Sequence, residues 1–313
     1  MAILIDPPAW PAHGTLWSHL ITDSDLAELH DFAFRLGLPR RSFDLDHYDV
    51  PASLHARAVA LGARAVGAKD IVHRLRAAGL RVRQAEREAM YPVRRRQYLE
   101  AEWARLGDTI GIGVSAQDRD AWHRLGSGLL ARWNEPHRSY HDERHLEDVL
   151  LALNHLEVRG ERVMLVTHLA AWFHDAVYAG ASGADEAASA ALAHASLSDF
   201  GLGTALLQQT GELIVSTAPG RRLEDPTLPL IHLLDADLAI FASPGSRYRE
   251  YASSVRREYA HVSDTDFAAG RAAILRGYLA QPTIYRTDAA HRLWEDRARA
   301  NLIGEVDELH RTG

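Results

Sequence analysis

ERVMLVTHLAAWFHDAVY, residues 161–178, decides how the larger part of this chain is read. Its apolar residues recur at three- and four-residue intervals, the spacing of a helix face, and so apolar a run predicts a helix covered by its neighbours. The run ends on His174 and Asp175, side chains that a buried helix has no packing reason to keep. Downstream, EAASAALAHASLSDFGL, ALLQQTGELIVSTA, LPLIHLLDADLAIF, SRYREYASSVRREYAHV, FAAGRAAILRGYLA and DAAHRLWEDRARANLIGEVDEL repeat the helical spacing with Gly or Pro between them. Strand signals are scarce from residue 119 onward. Residues 119–313 are therefore expected to form an all-α domain, with any site built from side chains on facing helices.

The first part reads differently. AILI (2–5) predicts a short buried strand, and PPAWPAHG (7–14), with three prolines and a glycine, predicts a loop without regular structure. Leu16–Ile21 is a second apolar stretch. Thr22 or Ser24 then caps the helix suggested by DLAELHDFAFRL. SFDLDHYDV alternates in character, and a helical stretch follows over about 53–65. This order predicts a small α/β domain over residues 1–86 and an α+β chain overall. Residues 87–118, charged and interrupted by Pro92, Gly107, Gly111 and Gly113, read as a connecting helix and a loop. VRRRQ within that stretch reads as a solvated face.

Composition narrows the chemistry. The chain has no cysteine, which excludes disulfides, thiolate metal sites and thiol nucleophiles. A metal here must be held by nitrogen and oxygen. A net charge of −7 provides no general attraction for nucleic acid or anionic membrane. No apolar run is long enough to span a bilayer, and MAILIDPPAW lacks the basic start of a signal peptide, so a cytoplasmic location is expected.

Three segments of the helical part carry side chains that packing does not explain. In YHDERHLEDVL (140–150), His141 and His145 are four residues apart, which on a helix places both on one face. AAWFHDAVY supplies His174 and Asp175. LLDADLAIF (233–241) adds Asp235 and Asp237, which on a helix point about 200° apart, so only one can face a common centre. Each segment alone has an ordinary structural explanation. Together they offer two imidazoles and two carboxylates, a donor set suited to Mn, Mg, Fe, Co, Ni or Zn with positions left for water.

These segments resemble those of the HD superfamily of metal-dependent phosphohydrolases, and within it a bacterial branch with Tyr-His-x-x-x-His followed by Asp-Ala-Asp-Leu. The resemblance covers about residues 119–308. It implies that His145, His174, Asp175 and Asp237 are the metal ligands for one or two divalent ions, and that His141 protonates the leaving oxygen. It also implies hydrolysis of a phosphoester or phosphoanhydride bond of a small molecule, with a nucleotide as the expected substrate. The alternative is a sensor that binds a metal or nucleotide without turnover.

Further residues follow from the same resemblance. Glu186, in ADEAASA with Ser189, matches a position near the catalytic water, although an acid in a helix's first turn explains it equally well. After Thr217 the branch often carries another histidine, whereas this chain has Pro219 and Gly220. His168 and His194 are candidates for a second ion, with ordinary core or surface histidine the simpler reading. Among the cations suited to a phosphate, Arg221, Arg222, Arg256, Arg257 and Arg271, the preferred substrate contacts are Arg271 together with Tyr259.

Residues 1–85 resemble a small bacterial domain of unknown function through ILIDPP, the HLI-D segment and HYDV. Asp6, His19, Asp23, His47 and Asp49 are candidates there for a polar cluster at strand ends. Caps and turns account for Asp23 and Asp49 as well.

Overall fold

A computed structural model of the chain describes residues 2–12, 14–112, 115–219 and 225–312. The chain is α+β, and it divides into two compact units between Gln97 and Tyr98, with Glu157–Arg159 grouped with the first.

The first unit is built on a mixed sheet: β1 (Ile3–Ile5), β2 (Trp10–Ala12), β3 (Thr15–Thr22), β4 (Phe43–Asp44), β5 (His47–Pro51) and β6 (Arg64–Ala65). The strand order is β4-β5-β3-β1-β6, and β2 pairs with β3. Alternation along the strands separates two layers. Ile3, Ile5, Leu20, Tyr48 and Val50 pack on α1 (Leu26–Leu36) and α2 (Ala52–Ala60) through Leu29, Phe32, Leu36 and Ala58. On the opposite face Leu4 and Ile21 pack on Ile71 and Leu75 of α3 (Ala68–Ala77).

Three expectations are corrected here. The proline-rich stretch is not all loop, because β2 lies within it with Pro11 opposite Leu16. β2 is exposed and paired only to β3, the edge position where proline's missing N–H is tolerated. The cap of α1 is neither Thr22 nor Ser24 but Asp25, whose carboxylate accepts from the Ala27 N–H at 2.9 Å. Thr22 Oγ1 instead accepts from the Ser24 N–H, forming a turn. Finally, α2 stops at Ala60 because Arg64 and Ala65 pair in parallel with β1.

The division between the units falls inside α4 (Arg87–Thr109), which carries exposed Pro92 within it. Tyr98, Leu99, Trp103 and Leu106, from its second half, belong to the core of the second unit. Trp103 stacks on Trp122 of α5 (Ala116–Trp133) at 4.1 Å, and each indole N–H donates to the other residue's carbonyl. This pairing satisfies both buried donors and locks α4 to α5.

At the centre of the second unit lies α7 (Leu165–Phe173). Val166, Thr167 and Leu169 through Phe173 are all buried, which explains why the segment is apolar on nearly every side. Around it are α6 (Glu143–Val158), α8 (Ala184–Ser198), α9 (Thr204–Val215) and α10 (Leu228–Asp237), followed by α11 (Gly245–Glu258), α12 (Asp264–Leu279) and α13 (Asp288–Thr312). Among the described residues this unit has no strand, and no single helix is long and apolar enough to cross a membrane.

Candidate metal centre

Three helix ends meet beside α7. The helix itself stops at Phe173, and His174 Nδ1 donates to the Ala171 carbonyl at 2.9 Å, which leaves Nε2 with its lone pair free. Asp175 follows directly. His145 lies in the first turn of α6, whose start is capped by the Asp142 carboxylate accepting from the Arg144 and His145 N–H groups. Asp237 is the last residue of α10. Local capping and buried helix faces thus deliver four side chains from three segments to one point.

His145 Nε2 and His174 Nε2 are 3.1 Å apart. Asp237 Oδ1 is 3.2 Å from the first and 3.7 Å from the second, while Asp175 Oδ2 is 3.6 and 3.3 Å away. A cation about 2.1 Å from each ligand separates neighbouring ligands by about 3.0 Å in an octahedron and about 3.4 Å in a tetrahedron. Three of these five separations, 3.1–3.3 Å, lie within that range and two, 3.6 and 3.7 Å, just beyond it. His145, His174 and Asp175 each place a ligand atom within 4.8 Å of the others, so these three fit a divalent ion after a small adjustment, with Asp237 approaching both imidazoles. The imidazoles are almost fully buried, while the side chains of Asp175 and Asp237 remain 17% and 25% exposed. Approach from solvent is therefore on the carboxylate side.

The electrostatics are those of a centre needing positive charge. Burial pushes the Asp237 carboxyl up, but the His145 hydrogen bond and the neighbouring imidazoles bring it below the usual range. Burial likewise pulls His145 down, and Asp237 with Asp175 more than offsets this. The α7 C-terminus adds partial negative charge at the same point.

His141 is placed by tertiary contacts rather than by helical spacing. α6 begins at Glu143, so the expected shared helix face does not exist, yet the His141 and His145 rings lie 5.7 Å apart. Glu258, the last residue of α11, accepts the His141 Nδ1–H at 2.7 Å and the backbone N–H groups of Ser139, Tyr140 and His141. Burial opposes its ionisation, but these donors hold its carboxyl down to about 2. The Tyr178 hydroxyl also donates to it, and the Tyr178 ring stacks on His141 at 4.2 Å. Arg138, with a fully buried side chain, donates to the carbonyls of His141, Asp175 and Ala176.

Neither Glu258 nor Arg138 was legible from sequence. Glu258 is one position from the singled-out Tyr259, and Arg138 lies just before the His141 segment, but no spacing rule links them across 117 and 37 residues.

The other sequence candidates do not join this cluster. Asp235 turns away and accepts from the backbone N–H groups of Arg286 and Thr287 and the Thr287 hydroxyl. It does not join the cluster. Glu186 caps α8 by accepting from the Gly183 N–H, as its first-turn position allows, and Asp185 and Ser189 bind the loop that follows Asp175. Arg271 is buried and tied to Glu305 and the Tyr251 hydroxyl, which removes it as a phosphate contact. Arg256 pairs with Asp264, and Arg257 bonds Ser253 and Ser254. Tyr259 follows the last residue of α11 as its cap, beside Phe267. His168 and His194 are not part of the cluster, and Thr217 bonds back to the Ile214 carbonyl. Gly113, Gly220, Arg221 and Arg222 lie outside the described residues.

In the first unit Asp6, His19, His47 and Asp49 come together, whereas Asp23 is elsewhere, accepting from the Ala2 N–H. Residues 3–78 match a family described as a protein of unknown function, DUF4031. No curated protein and no solved structure matches the chain.

Proposed function

We propose that the second unit is a metal-dependent phosphohydrolase of the HD superfamily, acting in the cytoplasm on a phosphoester or phosphoanhydride bond of a small molecule, with a nucleotide as the substrate class. Its cofactor is one or two divalent ions, Mn, Mg, Fe, Co, Ni or Zn. The observation that carries this reading is the approach of Asp175 and Asp237 to the paired imidazoles of His145 and His174, each contact lying between 3.1 and 3.7 Å, together with the order of the four in the chain. A bound divalent ion would lower the pKa of water and offset charge on the phosphoryl oxygens.

The chain's own residues supply the rest. Glu258, ionised at neutral pH, fixes the His141 ring through Nδ1 and leaves Nε2 to give a proton. In hydrolysis the water oxygen bonds to phosphorus and sheds a proton to solvent, the bond to the leaving oxygen breaks, His141 gives its proton to that oxygen, and the imidazole is reprotonated from solvent. Arg138 holds the backbone on both sides of the centre, keeping His141 and Asp175 in register. Tyr178 closes one side of the His141 ring.

The test is a screen of nucleoside mono-, di- and triphosphates, cyclic nucleotides and guanosine polyphosphates with Mn, Mg, Co or Ni, read as phosphate or nucleoside release. It is paired with metal analysis of His174→Ala and Asp175→Ala. Turnover that disappears together with a loss of bound metal in both variants supports the reading. Wild-type metal content in both variants overturns it, and metal binding without turnover of any phosphorylated compound favours the sensor.

A further inference from the structure

The first unit carries a second group of metal-ligating side chains, built on different principles. β1 and β3 pair with Leu4 opposite Ile21 and Ile5 opposite Leu20, and the ladder continues one step, with the Asp6 N–H donating to the His19 carbonyl. Across the other side of β3, His19 stands directly opposite Asp49 of β5. Asp6, His19 and Asp49 therefore form a row across three neighbouring strands, and His47, two residues from Asp49, shares their face. It is the face that carries Leu4 and Ile21, where α3 supplies the cover through Ile71 and Leu75.

Each imidazole in this row has its own buried carboxylate. His19 Nδ1 bonds Asp6 Oδ2 at 2.9 Å, and Asp6 also takes the His19 backbone N–H at 2.5 Å. His47 Nδ1 bonds Asp46 Oδ1 at 2.7 Å, and Asp46 is in turn held by the Val82 N–H and Arg81. Both Asp6 and Asp46 are only 1% exposed. A carboxylate bonded at Nδ1 fixes the ring and directs Nε2 outward as a donor, the arrangement that raises the basicity of a metal-bound imidazole. Two such pairs side by side are more than sheet stability requires. The turn that presents Asp46 also holds Leu45 at φ 64°, a conformation that costs a non-glycine residue about 1 kcal/mol or more.

The outer positions converge. His47 Nε2 is 3.5 Å from Asp49 Oδ1, the His19 and His47 rings are 5.0 Å apart, and one ligand atom from each of the three residues lies within 4.8 Å of the others. Opposite ligands of an octahedral ion about 2.1 Å away are about 4.2 Å apart, close to the upper bound of this spacing, so side-chain adjustments of a few tenths of an ångström suffice to close the set. The Asp49 carboxylate is free to rotate, being 48% exposed.

From this geometry we infer that His19, His47 and Asp49 form a divalent metal site, independent of the one in the second unit, with Asp6 and Asp46 as the carboxylates that orient its two imidazoles. Three nitrogen and oxygen ligands, with Asp49 half-exposed at the rim, leave coordination positions for water or a small anion. The ion class is a borderline divalent d-block cation, Zn(II) or Co(II).

The experiment uses the full chain, stripped of metal and titrated with Co(II), and reads visible absorption and ions bound per chain by equilibrium dialysis. In the variant carrying His145→Ala and His174→Ala, which removes the other centre, one Co(II) per chain is expected. Adding His19→Ala and His47→Ala should abolish it. Asp49→Asn, a change at a half-exposed side chain that leaves the core intact, should weaken binding at least tenfold. Absence of saturable Co(II) binding in the folded His145/His174 variant overturns the inference, as does binding that survives Asp49→Asn unweakened. The two readings fail separately. If all wild-type binding is lost with His145 and His174, only the site in the first unit falls; if none is, the centre in the second unit falls instead.

Discussion

Glu258 and His141, 117 residues apart, are joined by a 2.7 Å hydrogen bond that gives the imidazole a single orientation beside the cluster of His145, His174, Asp175 and Asp237. Glu258→Gln keeps the shape but replaces the ionised acceptor. With the substrate identified by the screen, kcat should fall roughly 10- to 100-fold, the range for losing a partner that orients another side chain, while KM and metal content stay at wild-type values. His141→Ala should lose as much, and combining the two changes should add little. Additive losses would show that Glu258 acts by another route.

Arg138 is the buried clamp of the same region. Arg138→Met leaves the carbonyls of His141, Asp175 and Ala176 without their donor, and a loss of about 3 kcal/mol is expected in urea unfolding. Arg138→Lys should not restore it, because an ammonium cannot reproduce the planar fork that reaches both sides. Unfolding midpoints of the three proteins decide the matter.

The Trp103–Trp122 stack leaves no room at two glycines. A Cβ at Gly126 would strike the Trp103 indole, and one at Gly107 would meet Trp122 at 2.6 Å. Gly126→Ala should destabilise the second unit by about 1–3 kcal/mol despite alanine's higher helix propensity. Gly128, two residues along the same helix and open to solvent, has nothing within 4 Å, so Gly128→Ala should stabilise by up to about 1 kcal/mol. Thermal melts of the pair should move in opposite directions.

His30 gives the first unit an acid-sensitive element. Burial, with Arg40 and Arg94 nearby, lowers its pKa from 6.5 to about 2, and the ring bonds the Tyr48 hydroxyl. Below pH 6.5 the unfolded chain takes up a proton that the folded chain refuses, so stability falls as pH falls. The slope is below about 1.4 kcal/mol per pH unit because the ring is partly exposed. His30→Phe should flatten it. Amide exchange of peptides within residues 26–51 between pH 7.5 and 4.5 provides the measurement, and an unchanged slope in the variant would exclude His30.

How far the sequence reaches differs between the two units. In the second, the helical repeats of α8 to α13 and the buried character of α7 are written in apolar spacing, because a helix face must match what covers it. In the first, β2 and β6 were hidden: one contains proline, the other has two residues, and both exist only because β3 and β1 offer open edges. Spacing also misled at His141, since it cannot say that α6 starts two residues later.

The residue types and their order were determined by sequence alone: an imidazole and carboxylate set without thiolate in the helical part, and His19, His47 and Asp49 in the strands. Which carboxylate turns inward was open to helical spacing and assigned to Asp237 by resemblance alone, and the tertiary structure gives the physical reason. Asp235 caps the backbone at Arg286 and Thr287, and Asp237, two residues on, meets the imidazoles. Glu258 and Arg138 became visible only in three dimensions as well. The physical reason is that periodicity reports burial, a property each residue shares with its own helix, whereas a buried charge is satisfied by whatever donor the fold brings to it, at any distance along the chain.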